Sequence, residues 1–195
     1  MTWEKLADRC NLFIDADKNL LINLLREAEV ELTRKVNILE NAYSVTALSG
    51  VKFYGLPDDY KSMITVLVEG DHKRPMTDDE FFYDTDNQLH TGTPSGYSVR
   101  GNNIFFSQRP NKGDKIKIVY NSLAQVDKDS KPHQSSPVIP TVYHKDLCNY
   151  AISIAAAKDM PTMYDKHWNL WLISIEDVKN EVADRELLYN MKEEI

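Results

Sequence analysis

Several acidic and histidine-bearing segments of the chain have residue types that bind metal ions. Residues 15–19, with the sequence DADKN, begin like the calcium loop of an EF-hand. That loop requires glycine at its sixth position and a bidentate glutamate at its twelfth, where this chain has Leu20 and Arg26. Because an arginine in place of a carboxylate disfavours calcium, we predict a polar turn that caps the second helix.

A second candidate metal site combines His144, Asp146 and Cys148 on one predicted helix. His144 and Cys148 are four residues apart and therefore share a helix face. A zinc site needs three or four protein ligands, and the sequence has no second cluster of cysteine or histidine to complete one. We predict that Cys148 packs inward, that His144 lies at a helix start, and that the protein holds no metal or other cofactor.

Two acidic pairs, at residues 58–59 and 78–79, could serve a metal-dependent nuclease or hydrolase. We place both pairs at predicted helix starts, where the helix dipole stabilises carboxylates. The sequence has no Gly-x-Ser-x-Gly elbow and no phosphate-binding glycine loop. It therefore marks no catalytic residue, and we predict that the protein is not an enzyme.

Composition indicates a globular, acidic protein of one domain. The chain has 195 residues, a net charge of -7 and 42% hydrophobic residues. Its negative charge argues against a protein that holds nucleic acid through a general positive field. Cys10 and Cys148 are expected to be reduced core thiols of a cytosolic product. We expect neither a secretory leader nor a membrane-spanning segment.

Hydrophobic periodicity divides the chain into helical ends and a β-rich middle. Apolar residues recur with helical spacing in four segments and alternate in the region between them. Because the strands lie in one block with short connections, we predict an α+β fold with an antiparallel sheet. It would be a four-helix bundle, of two N-terminal and two C-terminal helices, with an inserted antiparallel β lobe. In this interpretation a single domain spans residues 1–195, with the bundle at 1–41 and 141–195, the β lobe at 42–126 and an extended connector at 127–140.

Four stretches, which together span nearly the whole chain, resemble the head-to-tail adaptor proteins of tailed bacteriophages, also called tail tubular or connector proteins. They are the opening WEKL with the charged helix around NLLREAE, the GLPDDYKSMI step before a strand ending in glycine, the YSVRGNNIFF hairpin with the IKIVYN strand, and the alanine-rich helix at 140–158.

The resemblance implies a non-enzymatic structural subunit of the virion, made in the host cytoplasm and located at the head–tail junction. Such proteins form a homo-oligomeric ring of about twelve copies between the portal protein and the downstream tail or nozzle protein. Genomic DNA would pass through the ring without specific binding, since a wall of negative charge does not retain it. The C-terminal segment would dock on the portal through apolar side chains: Leu187, Leu188, Tyr189, Met191 and Ile195.

Three other interpretations remain open at this stage. The first is another protein of the virion neck, either a head-completion or a tail-terminator protein. The second is a metal-dependent hydrolase or nuclease that uses Asp58, Asp59, Asp78 or Asp79. The third is a small cellular module that binds peptide or sugar through the β lobe.

Overall fold

The computed structural model describes the backbone of residues 1–83, 90–125 and 135–193, and the side chains of these except residues 82, 83 and 185–193. The chain forms two compact units. The helical unit comprises Met1–Leu39 and Leu123–Ile195, and the β unit comprises Glu40–Ser122.

Five α-helices are present among the described residues: α1 (Trp3–Cys10), α2 (Lys18–Lys35), α3 (Asp78–Tyr83), α4 (His144–Ala156) and α5 (Pro161–Glu193). The first two begin at side-chain caps. The Thr2 hydroxyl accepts from the Lys5 amide at 3.4 Å, and the Asp17 carboxylate accepts from the Leu20 amide at 2.9 Å. The second cap confirms the predicted polar turn. No described helix has an apolar run long enough to cross a bilayer.

The core of the helical unit is built from the apolar stripes of α1, α2, α4 and α5. Trp171 is fully buried, and its ring lies 5.4 Å from that of Tyr150 in an edge-to-face arrangement. Trp168 is half-buried and stacks on Tyr164. Trp171 is therefore part of the buried core, and Trp168 packs against that core from a partly buried position.

Seven strands form the sheet of the β unit in the order β1-β7-β3-β4-β5-β6-β2. Neighbouring strands are antiparallel except β4 and β5, which are parallel with Arg74 opposite Gly96. Side chains from one face converge on a core of their own that includes Val66, Phe106 and Ile118. The strand bounds are β1 Glu40–Thr46, β2 Phe53–Gly55, β3 Tyr60–Val68, β4 Asp71–Pro75, β5 Gly96–Arg100, β6 Asn103–Phe106 and β7 Lys115–Ser122.

The predicted fold class, a four-helix bundle with an inserted antiparallel β lobe, is wrong. Among the described residues the structure has five α-helices and a curled, mixed sheet of seven strands. The prediction assumed short connections throughout. Residues 76–95, which contain α3, form a connection long enough for β5 to return parallel to β4.

Candidate interaction surfaces

The residues of the candidate zinc site have separate partners. His144 is buried at the start of α4, as predicted, and its Nε2 lies 3.0 Å from the carbonyl oxygen of Ile139. Burial lowers the pKa of His144. Asp146 accepts from the Ser174 hydroxyl at 3.0 Å, and Cys148 is buried, also as predicted. Among the described residues, no group of three or more His, Cys, Asp and Glu could hold a metal ion.

The acidic pair at 58–59 lies in the turn before β3, so its predicted place at a helix start is wrong. Asp58 is exposed, whereas Asp59 accepts from the Tyr120 hydroxyl at 2.8 Å and from Asn41 Nδ2 at 3.1 Å. Burial, together with this hydrogen bond, raises the pKa of Tyr120 to about 12. Asp59 therefore fastens the start of β3 to β1 and β7.

The second pair, Asp78 and Asp79, occupies the first turn of α3, where the helix-start prediction is confirmed. Asp78 accepts from Arg100 Nη2 at 3.2 Å. A reciprocal cap joins Thr77 and Glu80: the Glu80 amide donates to Thr77 Oγ1 at 3.3 Å, and the Thr77 amide donates to Glu80 Oε2 at 3.0 Å. Asp59 and Asp78, two of the four carboxylates considered for a hydrolase, therefore hold local structure.

Exposed apolar side chains line a groove in the helical unit, which we call the apolar groove and define by Phe13, Leu170 and Ile173. The groove has a volume of about 360 Å³, and Arg9 and Lys145 also line it. Phe13 and Ile173 are 53% and 56% exposed. Exposed apolar surface of this kind is typical of a protein–protein contact.

Sequence periodicity does not reveal the apolar groove, because Phe13 continues the apolar spacing of α1 and would be expected on its buried stripe. That helix ends at Cys10, three residues before Phe13. The Phe13 ring therefore leaves the helical register and packs edge-to-face against His167, with ring centroids 5.9 Å apart. His167 Nδ1 also lies 3.1 Å from Asn149 Oδ1.

The two edges of the sheet are further candidate contacts. On one edge, β1 pairs with β7 alone among the described strands, and an edge strand is a common place for another chain to pair. On the other edge, Phe53 is half-exposed and stacks on Phe105 with centroids 5.4 Å apart. The Arg100 guanidinium lies 5.9 Å from the Phe105 ring centroid.

The lysines at 115 and 117 do not join the aromatic residues near them in sequence. Lys115 and Lys117 lie exposed on β7, whereas Phe105 belongs to β6 and Phe106 is buried. Strands β6 and β7 are not neighbours in the sheet. These lysines therefore lie on a solvated strand face and do not form a basic and aromatic nucleic-acid site with Phe105 and Phe106.

The predicted portal-docking residues belong to the C-terminal end of the chain. The backbone of α5 continues to Glu193, about 16 Å beyond Val182 at 1.5 Å per residue. Val182 itself is partly buried against the helical core. The side chains of Leu187, Leu188, Tyr189 and Met191, and all of Ile195, lie outside the described residues.

Comparison with known proteins gives one match that spans nearly the entire chain. A family model described as SU10 adaptor protein matches residues 1–185. No curated protein matches the chain. The match includes the helical segments at both ends and the complete β unit. The resemblance to phage head-to-tail adaptors is thereby confirmed: the chain belongs to the SU10 adaptor protein family, a family of bacteriophage adaptor proteins.

Proposed function

We propose that the protein is a structural subunit of the phage virion that assembles into a ring, of about twelve copies, between the portal and the tail. The observation that carries this proposal is the adaptor-family match over residues 1–185. The ring would surround the path of the genome at the head–tail junction. Its partners would be the portal protein on one side and a tail or nozzle protein on the other.

Exposed apolar surface in the helical unit supports an assembling role. In a closed ring each copy uses two different surfaces, one toward each neighbour. Phe13, Leu170 and Ile173 provide apolar contacts, and the groove is also lined by charged side chains of both signs: Arg9, Lys145, Asp146 and Asp177. Such a mixture of apolar and polar surface is typical of non-obligate protein–protein interfaces.

The negative charge of the chain supports a passive role toward DNA. Each copy contributes a net charge of -7, so a ring would present many acidic groups to the phosphate backbone. Repulsion between like charges would let the genome pass without adhering. A non-enzymatic role also agrees with Asp59 and Asp78, whose carboxylates are engaged with Tyr120 and Arg100.

The C-terminal end is the proposed contact with the portal. Residues 187–195 contain five large apolar residues in a segment of nine, and α5 carries most of that segment beyond Val182. Apolar side chains on the last turns of a helix are suited to a groove on a partner. Removing residues 187–195 should leave the fold intact and abolish binding to the portal.

The experiment that tests the function is co-assembly with the portal protein of the same genome, followed by electron microscopy. We expect a ring capping the narrow end of the portal, from which the copy number can be counted. A monodisperse protein that leaves an assembly-competent portal uncapped would contradict the adaptor position. Binding to a pre-formed neck or tail instead would assign the protein to another position in the virion neck.

A pair of variants on α5 tests the contact surface separately. Ile173→Asp places a charge in the apolar groove, whereas Asn169→Asp places the same charge on an exposed polar position of the same helix. We expect the first variant to lose ring assembly and the second to retain it. Equal assembly by both variants would exclude the apolar groove as a ring contact.

A further inference from the structure

The edge strand β1 is regular and accessible along its full length. Each of its seven residues lies opposite a residue of β7, from Glu40 with Asn121 to Thr46 with Lys115, and no bulge interrupts this pairing. Every β1 side chain is exposed or half-buried. Proteins commonly protect an edge strand with a proline, a lysine or a bulge, and β1 has none of these. The strand is therefore suited to pairing with another strand.

The side chains of β1 alternate between the two faces of the sheet. Tyr43 and Val45 pack against the core of the β unit and keep part of their surface exposed. Ala42, Ser44 and Thr46 point to the opposite face, where they are small and exposed. A strand added beside β1 would cover the remaining apolar surface of Tyr43 and Val45 without meeting a bulky side chain on the other face.

The two ends of the β1 edge carry opposite charges. Glu40 begins the strand and is its only charged residue. At the other end, Lys115 and Lys117 lie exposed on β7 beside the last residues of β1, on the same face of the sheet as Glu40. The edge is therefore acidic where β1 begins and basic where it ends.

Two carboxylates near the basic end do not cancel its charge. Glu69 accepts from the Lys115 amide, but it belongs to the turn after β3, on the side of β7 away from β1. Asp114 accepts from the Asn111 amide at 2.9 Å and shares its turn with Lys112. Lysines therefore outnumber carboxylates at this end.

We propose that the free protein forms a two-fold dimer in which β1 pairs antiparallel with β1 of a second copy. Full overlap of the two strands puts Tyr43 opposite Tyr43, and Glu40 of each copy opposite Thr46 of the other. Glu40 then lies one strand away from Lys115 of the other copy, on the same face, and the symmetry makes this contact twice. A parallel pair in register would instead align Glu40 with Glu40, and like charges directly opposite are destabilising. Charge complementarity therefore selects a second copy in the antiparallel direction.

This dimer differs from a ring in the kind of contact that it uses. A two-fold pair presents the same surface on both copies and is complete at two, whereas a ring contact joins two different surfaces. If the proposed ring role holds, the dimer is a separate state of the free subunit. It would keep free copies out of the ring until contact with the portal or with a ring neighbour replaces the β1 pairing.

Sedimentation velocity of the free, full-length protein over a range of concentrations tests the pairing. We expect a reversible equilibrium between the monomer and a dimer of twice the chain mass of 22.5 kDa. The β1 amides that face away from β7 should exchange hydrogen more slowly at concentrations where the dimer predominates. A protein that stays monomeric at millimolar concentration, or a dimer without this protection of β1, would overturn the proposal.

A charge-swap pair tests the direction of the strands. Glu40→Lys turns two attractive contacts into repulsive ones and should raise the dissociation constant of the dimer about tenfold at low salt. Adding Lys115→Glu to this variant restores opposite charges at both contacts and should return the dissociation constant close to the wild-type value. Failure of the second reversal to restore dimerisation would contradict the antiparallel register.

A lysine at the centre of the edge provides a further test. Ala42→Lys places a charge opposite Ser44 of the other copy and beside its Lys117, whereas Ala183→Lys makes the same change at an exposed position of α5. We expect the first variant to be monomeric and the second to dimerise like wild type. Equal dimerisation of both would exclude β1 as the contact. These measurements use no portal, so their result is independent of the proposed adaptor role.

Discussion

Glu29 is a buried carboxylate on α2 whose replacement should detach the segment that precedes α4. Its side chain is 4% exposed, and Oε1 accepts from the Val138 amide at 2.6 Å and from the Ile139 amide at 3.1 Å. These two hydrogen bonds join residues more than 100 positions apart in the chain. Glu29→Ala would leave both amides without this acceptor.

The expected loss follows from the number of donors left unpaired. A buried donor without a partner costs roughly 1–3 kcal/mol, and the Val138 amide is only partly buried, so Glu29→Ala should lower the free energy of unfolding by about 3 kcal/mol. Glu29→Gln retains an oxygen that can accept both bonds. It should change stability by no more than about 1 kcal/mol, because the loss of charge-assisted bonding is offset by removal of a buried charge.

The pH dependence of the two proteins should also differ. Burial is the main cause that raises the pKa of Glu29 above its ordinary value of 4.5. A carboxyl whose pKa is raised by folding stabilises the folded state fully below its unfolded pKa, and this contribution is lost as the pH rises through the folded pKa. The stability of wild type relative to Glu29→Gln should therefore fall between pH 4 and pH 7.

Urea unfolding at both pH values, with amide hydrogen exchange at Val138 and Ile139, measures these effects. We expect faster exchange of both amides in Glu29→Ala and near wild-type exchange in Glu29→Gln. Equal destabilisation by the two variants, or unchanged exchange in Glu29→Ala, would refute the assignment of Glu29 as the acceptor that holds this segment.

Two further predictions concern His144 and Gly96. Folding lowers the pKa of His144 through burial, so its contribution is present above the unfolded pKa of 6.5 and is lost as the pH falls through the folded pKa. Protonation of this group should lower the free energy of unfolding by at most about 1.4 kcal/mol for each unit by which the pH falls. In urea titrations, His144→Gln should show a smaller decrease in stability with falling pH than wild type. An equal decrease in the two proteins would contradict the role assigned to His144. A Cβ at Gly96 would lie 2.7 Å from the Arg74 carbonyl oxygen, so Gly96→Ala should disrupt the parallel pairing of β4 and β5 and lower the thermal midpoint. Gly55→Ala, where a Cβ meets no atom within 4 Å, is the matched control, and equal midpoints for the two variants would argue against the close approach at Gly96.

Local sequence patterns were sufficient for several elements of the fold. The cap at Asp17, the reciprocal cap of Thr77 with Glu80, and the burial of Trp171 all follow from residues within one or two helical turns. Such features depend on hydrogen-bonding groups and apolar spacing that are visible in a short window. The adaptor-like stretches and their order could also be recognised in the sequence, and the match to the adaptor family agrees with that resemblance.

The candidate surfaces could be predicted less well, because they depend on where elements end. Phe13 keeps the apolar spacing of α1 but lies beyond its last residue, and it is therefore exposed in the apolar groove. Asp58 and Asp59 resemble a helix start, yet the chain continues into β3. Asp59 there accepts a hydrogen bond from the Tyr120 hydroxyl. Apolar periodicity does not reveal where a helix ends when the residues beyond its end keep the same spacing.

Amino-acid order alone determined the acidic charge of the chain, its helical ends and its β-rich middle, because these follow from composition and from periods of 3.6 and two residues. Tertiary structure decided the strand order, the parallel pairing of β4 with β5 and the Glu29 contact with residues 138–139. Each of these joins groups distant in sequence. They form when whole elements pack together and when buried polar groups, which have lost their water, find hydrogen-bond partners elsewhere in the chain. A short window of sequence does not contain that information.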